Sequence, residues 1–183
     1  MAVNNDETRV TEKDNIILIG MPGAGKSTVG VLLAKAMTCN FLDTDISIQR
    51  REKKQLQDII SEQGLDAFIA IENAVLSRLE VDGCVIATGG SAVYSAEAMA
   101  HLKSIGTVVY IRLSLEEILR RVNNITTRGI AMKKGKTLAD VYAERVPLYE
   151  KYADIVVDGE GSSIEEAVER VIAALGRLPQ SGK

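Results

Sequence analysis

The sequence predicts an α/β domain in which a parallel sheet is layered between helices, and two observations carry the prediction. From residue 15 to about residue 177, short apolar runs alternate with segments of helical periodicity. Near the start of that alternation, residues 20–28 read Gly-Met-Pro-Gly-Ala-Gly-Lys-Ser-Thr. This glycine-rich loop sits between a strand-like run and a helix, the order found in doubly wound domains whose ligands bind at the carboxyl ends of the strands.

The elements follow in chain order. Ile16–Ile19 is apolar and rich in β-branched residues, the composition of a strand buried on both faces. After the loop, Val29, Leu32, Leu33 and Ala36 recur at helical spacing and predict a helix over Thr28–Met37. Further strands are expected at Asn40–Leu42, Cys84–Ala87, Thr107–Ile111 and Asp154–Val157. Helices are expected over Ile46–Arg51, Leu56–Glu62, Ala67–Leu79, Ala96–Lys103, Leu115–Val122, Leu138–Tyr152 and Ile164–Leu175. The single domain therefore spans residues 15–177. Polar residues 1–14 read as a disordered leader and 178–183 as a loose tail. Residues 123–137 are polar, basic and glycine-bearing between two helices. Beside a phosphate loop, such a segment is expected to be a mobile lid that excludes water.

The bulk numbers narrow the function. At 183 residues the chain is long enough for a core without staples, and 46% apolar residues is an ordinary globular share. A net charge of −3 gives no reason to expect a nucleic-acid partner. No run is long enough to span a membrane. Cys39 and Cys84 lack metal-ligand spacing and read as core residues, which suits a reducing cytoplasm.

Chemistry concentrates at the loop. Residues 20–28 fit G-x-x-x-x-G-K-[ST], a P-loop. Its glycines let backbone N–H groups converge on an anion, and the helix beginning near Lys26 adds the positive end of its dipole. Gly23, Ala24, Gly25, Lys26, Ser27 and Thr28 are thus the expected ATP-binding residues, with Lys26 reaching the β- and γ-phosphates and the Ser27 hydroxyl on Mg²⁺. Asp43 and Asp45 follow the second strand and should emerge near this loop. One can hold Mg²⁺ and the other can orient an attacking hydroxyl, unless the pair simply caps a helix. Gly89, Gly90 and Ser91 follow the third strand on the same edge. Arg120, Arg121, Arg128 and Arg145 cluster in the last third, and guanidinium groups suit the charge on a transferring phosphoryl group. His101 has no partner motif and carries no expected role.

Together these motifs resemble the shikimate kinases over about Asn15 to Ile172. The resemblance rests on Gly20–Gly30, Phe41-Leu42-Asp43-Thr44-Asp45, Ala87-Thr88-Gly89-Gly90, the Arg121 to Arg128 lid entry and Glu144-Arg145-Val146-Pro147-Leu148-Tyr149. It implies a P-loop kinase fold, a five-stranded parallel sheet of order 2-3-1-4-5 with helices on both faces. It also implies transfer from ATP, with Mg²⁺, to the hydroxyl of a small metabolite; no nucleic-acid or membrane partner is expected, and the chain is expected to be a monomer. Asp43 would serve Mg²⁺ and Asp45 the acceptor hydroxyl. Arg121 and Arg128 would face ATP, and Arg145 the acceptor carboxylate; Gly89, Gly90 and Ser91 would line the acceptor site. Three positions depart from the family pattern: Ile69 stands where an arginine is expected, Ser91 replaces a third glycine, and Gly129 replaces a proline. An apolar wall at Ile69 predicts a smaller or less anionic acceptor, such as homoserine or a sugar acid, beside shikimate itself. A silent nucleotide-binding regulator and a nucleoside monophosphate kinase complete the alternatives.

Overall fold

A computed structural model of the protein describes residues 15–123, 130–133 and 135–176. Its central strand, β1 (Asn15–Ile19), is buried along its whole length. It pairs in parallel with β3 (Cys84–Ala87) on one side and β4 (Gly106–Arg112) on the other. β2 (Asn40–Asp43) and β5 (Ile155–Asp158) close the two edges, giving the order β2-β3-β1-β4-β5. The expected class and strand order are both present. Ile17 lies opposite Ile86 and Val108, so the middle of the sheet is a continuous aliphatic layer.

Parallel neighbours need crossovers, and helices supply them. In chain order these are α1 (Lys26–Met37), α2 (Thr44–Glu52), α3 (Leu56–Gln63), α4 (Leu65–Leu76), α5 (Ala96–Ile105), α6 (Leu115–Asn123), α7 (Leu138–Tyr152) and α8 (Ile164–Leu175). Helix starts follow local chemistry. Asp43 caps α2, Ser95 caps α5, and Thr137 with Asp140 forms a reciprocal capping box on α7. α4 starts two residues earlier than its periodicity indicates, because Gly64 at φ 87° redirects the chain just before Leu65. It ends at Leu76 rather than Leu79. A turn of 3-10 helix over Ala92–Tyr94 was not expected, being too short to show a period. β2 and β5 are only partly buried, unlike the expected fully buried strands, because each has a neighbour on one side alone.

The core has two parts. The larger surrounds the sheet and takes in Cys84 fully and Cys39 partly, in the packing role expected of them. The smaller joins Ile48 of α2, Ile59 of α3, Phe68 of α4 and Ala131, so α2–α4 and the segment around Ala131 form a separate wall on one side of the strand ends. Among the described residues, no helix is long and apolar enough to cross a membrane. The expected leader and tail, and residues 124–129 and 134 of the expected lid, lie outside the described residues.

The amino end of the sheet is tied by one side chain. Asn15, 1% exposed, donates from Nδ2 to the carbonyls of Val81 (2.7 Å) and Ile105 (2.9 Å). Its Oδ1 accepts from the Cys84 N–H at 3.0 Å. Leucine has a similar shape but would leave three backbone groups unmatched, at about 1–3 kcal/mol for each that water cannot reach. Asn15→Leu should therefore destabilise the fold by about 3 kcal/mol, lowering Tm by about 9 °C in a thermal melt. An unchanged Tm would show that these groups find other partners.

Candidate active site

The loop between β1 and α1 has the shape its glycines permit. Gly23 and Gly25 sit at φ 84° and 86°, in the left-handed region, and Gly25 begins α1. Lys26 is 8% exposed and its Nζ donates to the carbonyls of Gly20 (2.7 Å) and Met21 (3.0 Å). Ser27 Oγ donates to Asp43 Oδ2 at 2.6 Å. Ala24 is packed into the core beneath the loop, while Thr28 is exposed on the first turn of α1.

Asp43 has two tasks at once. Its Oδ1 accepts from the N–H groups of Asp45 (3.0 Å) and Ile46 (3.4 Å), capping α2, while Oδ2 meets Ser27. Asp43 thus caps α2, one of the two expectations for it, and also lies against Ser27 of the phosphate loop.

Arg121 lies beside the phosphate loop. It lines a cleft of about 420 Å³ with Arg120, Gly23, Gly25, Ile111 and Ser163. Its Nε donates to Glu117 Oε1 at 2.5 Å. Hydrogen bonds from Arg120 and Arg121 hold the Glu117 carboxyl down at about 2, so the glutamate stays ionised and fixes both guanidinium groups.

The opposite side is built from α2, the turn after β3, and α7. Arg145 of α7 is 1% exposed, deep for a guanidinium. Its Nε donates to Tyr94 OH at 3.2 Å, and the group lies over the Tyr94 ring, 5.0 Å from the centroid. Its Nη2 donates to the Ala131 carbonyl. Its Nη1 has no hydrogen-bond partner among the described residues. One turn on, Tyr149 stacks on Tyr110 (centroids 5.1 Å apart) and donates to the Gly90 carbonyl at 2.6 Å. A cavity of about 90 Å³ runs between the two sides and is lined by Lys26, Ser27, Asp45, Gly90, Ser91 and Arg145, among others. Residues 100 positions and more apart in the chain thus face one space.

Several expectations need correction or addition. Ile69 does not wall this cavity. It lines a neighbouring groove of about 320 Å³ with Tyr94, Lys133, Lys136 and Glu144, while Phe68, packed with Ile48 and Ile59, takes the inward position. Lys133 and Lys136 belong to that groove, and Lys136 pairs with Glu144. Arg128, expected over the phosphates, lies outside the described residues. His101 sits with Nε2 2.9 Å from the Leu79 carbonyl, tying α5 to the turn after α4.

Sequence reasoning missed Glu72. This residue of α4 is 1% exposed, and its Oε2 accepts from Ser91 Oγ at 2.6 Å. Burial pushes its carboxyl up to about 7; the Ser91 hydrogen bond opposes the rise, nearby Asp45 adds to it, and Arg145 and Lys26 oppose it. A signal was present. Phe68, Ile69, Val75 and Leu76, its helical neighbours three and four positions away, are all apolar. A lone carboxylate on such a face is a candidate for a buried polar role.

Comparison with known proteins agrees with this geometry. The family model described as shikimate kinase matches residues 22–176. A shikimate kinase of Thiobacillus denitrificans is 38% identical over 159 residues, covering 85% of this chain and 86% of the relative. Another, of Pseudomonas savastanoi pv. phaseolicola, is 36% identical over 168 residues, covering 90% of this chain and 98% of the relative. Among solved structures, a shikimate kinase of Acinetobacter baumannii in complex with shikimate superposes with a TM-score of 0.82 at 30% identity, covering 90% of this chain and 95% of that one. With a family match over nearly the whole described chain, and a phosphate loop facing a buried arginine across one cavity, the chain belongs to the shikimate kinase family.

Proposed function

We propose that the chain phosphorylates a hydroxyl of shikimate from ATP, giving shikimate 3-phosphate and ADP. One observation carries this reading. Lys26 and the loop on one wall, and Arg145 on the other, enclose a single cavity with Asp45 between them. A triphosphate and a small anionic alcohol would meet there in line, and positioning with electrostatic support supplies most of the catalysis of phosphoryl transfer.

The residues divide the work. The N–H groups of Gly23, Ala24 and Gly25 face the phosphates, and Lys26 stands ready for the β- and γ-phosphate oxygens. Thr28 flanks them on the first turn, and Arg121 bounds the nucleotide cleft. Asp45 orients the acceptor hydroxyl and takes its proton. Arg145 offers Nη1 to the acceptor carboxylate, while Gly90 and Ser91 bound the acceptor from below. By the resemblance, Arg128 would meet the charge on the transferring group.

Ser27 and Asp43 suit Mg²⁺. They are hard oxygen donors, already 2.6 Å apart and held by the helix start that each belongs to. A magnesium ion bound there, with phosphate oxygens and water completing its shell, would neutralise charge on the phosphates. The setting expected for the reaction is the cytoplasm, with no nucleic acid or membrane partner.

Purified protein with Mg-ATP should release ADP when shikimate is added, and far less with homoserine, gluconate or no acceptor. Turnover of another acceptor with shikimate inert would overturn the assignment. ATP binding without acceptor-stimulated release would favour the silent regulator instead. Lys26→Met should lower kcat/KM by about 10²–10³-fold, the usual cost of removing one charge-stabilising donor. Asp43→Asn should raise the Mg²⁺ concentration needed for half-maximal rate, read by titration at fixed ATP. An unchanged magnesium requirement would remove Asp43 from the metal site.

A further inference from the structure

Glu72 is buried on a helix that gives it nothing to bind. Its positions i−4, i−3, i+3 and i+4 are Phe68, Ile69, Val75 and Leu76. Among the described residues, one side chain hydrogen-bonds to it, the Ser91 hydroxyl, and its Oε1 has no partner. Ser91 is itself 2% exposed and lies at the turn after β3 that also carries Gly89 and Gly90.

That turn is where the acceptor wall is assembled. A Cβ on Gly89 would strike Glu72 Oε1 and would lie 2.8 Å from Asp45 Oδ1. A Cβ on Gly90 would lie 3.1 Å from Arg145 Nη1. Glu72, Asp45 and Arg145 are thus pressed against two adjacent glycines, leaving no slack for a carboxyl that swings. A buried carboxyl without its donor would turn toward the nearest guanidinium and displace these neighbours.

We propose that Ser91 is a positioning residue for the acceptor site, its hydroxyl fixing the Glu72 carboxyl behind Gly89 so that Asp45 and Arg145 keep their separate aims. The inference rests on the shikimate kinase reading of the same cavity. Ser91 then acts through Glu72 and need not touch the substrate. The arrangement also explains how an apolar residue can stand at position 69. A cation there would be three positions from Glu72 on the same helix and would hold the carboxyl from the other direction. On this proposal an arginine at position 69 could take over the work of the Ser91 hydroxyl.

The test is a set of six proteins, each assayed with shikimate and Mg-ATP: wild type, Ser91→Ala, Ile69→Arg, the Ser91→Ala/Ile69→Arg double variant, and Ser91→Ala with and without Ile69→Arg in a Glu72→Gln background. Ser91→Ala should raise the acceptor KM about 10-fold, the worth of one charge-assisted hydrogen bond, and change the ATP KM less than about 2-fold. Ile69→Arg in the Ser91→Ala background should recover most of that loss, and should recover none when Glu72 is also made Gln. An unchanged acceptor KM in Ser91→Ala, or strictly additive effects of the two substitutions, would overturn the proposal.

A second measurement separates this proposal from the choice of substrate. Glu72 faces Asp45 of α2, Arg145 of α7 and Lys26 of α1 as well as Ser91. Above its elevated pKa of about 7 the carboxylate is charged and needs its donor more than the neutral acid does. The Tm deficit of Ser91→Ala should therefore be larger at pH 8.5 than at pH 5.5 by about 3 °C, and Ile69→Arg should shrink the difference. If wild type is inert toward shikimate, the assignment of substrate fails while these melts still decide the Ser91–Glu72 link. Equal deficits at both pH values would overturn the link even in an active enzyme.

Discussion

A sheet covered on both faces can carry charge only at its ends, and that constraint arranges everything else in this molecule. Ile17, Leu18 and Ile19 have no solvent exposure, and Ile86, Val108 and Val109 flank them in the same state. No ionised side chain could lie along such strands without a large desolvation cost. The polar groups are therefore driven to the strand termini. Because all strands run the same way, the carboxyl termini of β1, β2 and β3 deliver the phosphate loop, Asp43 with Asp45, and the Gly89–Ser91 turn to one edge. At the amino end the same pressure produces the Asn15 tie, where three backbone groups are answered by one amide.

At the carboxyl edge, neighbouring parts share atoms. Asp43 is bound to the phosphate loop through Ser27 and to its own helix through two backbone N–H groups, so the loop and α2 are registered by one carboxylate. On the far wall, α7 holds the turn after β3 through Tyr149 and faces the cavity through Arg145. The two side chains are four positions apart and share a face of the helix. The capping box at Thr137 and Asp140 secures the amino end of that helix.

Much of this was legible in the chain. The fold could be read because each strand is a short apolar run and each crossover has helical periodicity, and both signals are local. The loop, Asp43 and Asp45 were legible because motif and strand end coincide. Ile69 shows the limit: its neighbour in sequence, Phe68, takes the inward position, and helix rotation of that size is decided by packing against Ile48 and Ile59 rather than by any pattern within α4. Glu72 shows another. Its partner Ser91 lies 19 positions away on a different element, and nothing local in α4 names it. The 3-10 turn that sets Tyr94 beside Arg145 is a third case, three residues long and without a period to detect.

The bond between Arg145 and the Ala131 carbonyl has a wider consequence. A kinase of small alcohols faces a competitor at 55 M, since water is also an alcohol-like nucleophile and roughly that concentrated in any cell. Wasteful hydrolysis is avoided if the chamber shuts only around the true acceptor. Here one guanidinium presents Nη1 to the cavity while its Nη2 holds the Ala131 carbonyl, so the cavity wall and the segment at Ala131 meet on one planar group. Whatever anion Nη1 meets is thereby tied to the backbone at Ala131 through the five-donor geometry of a single arginine.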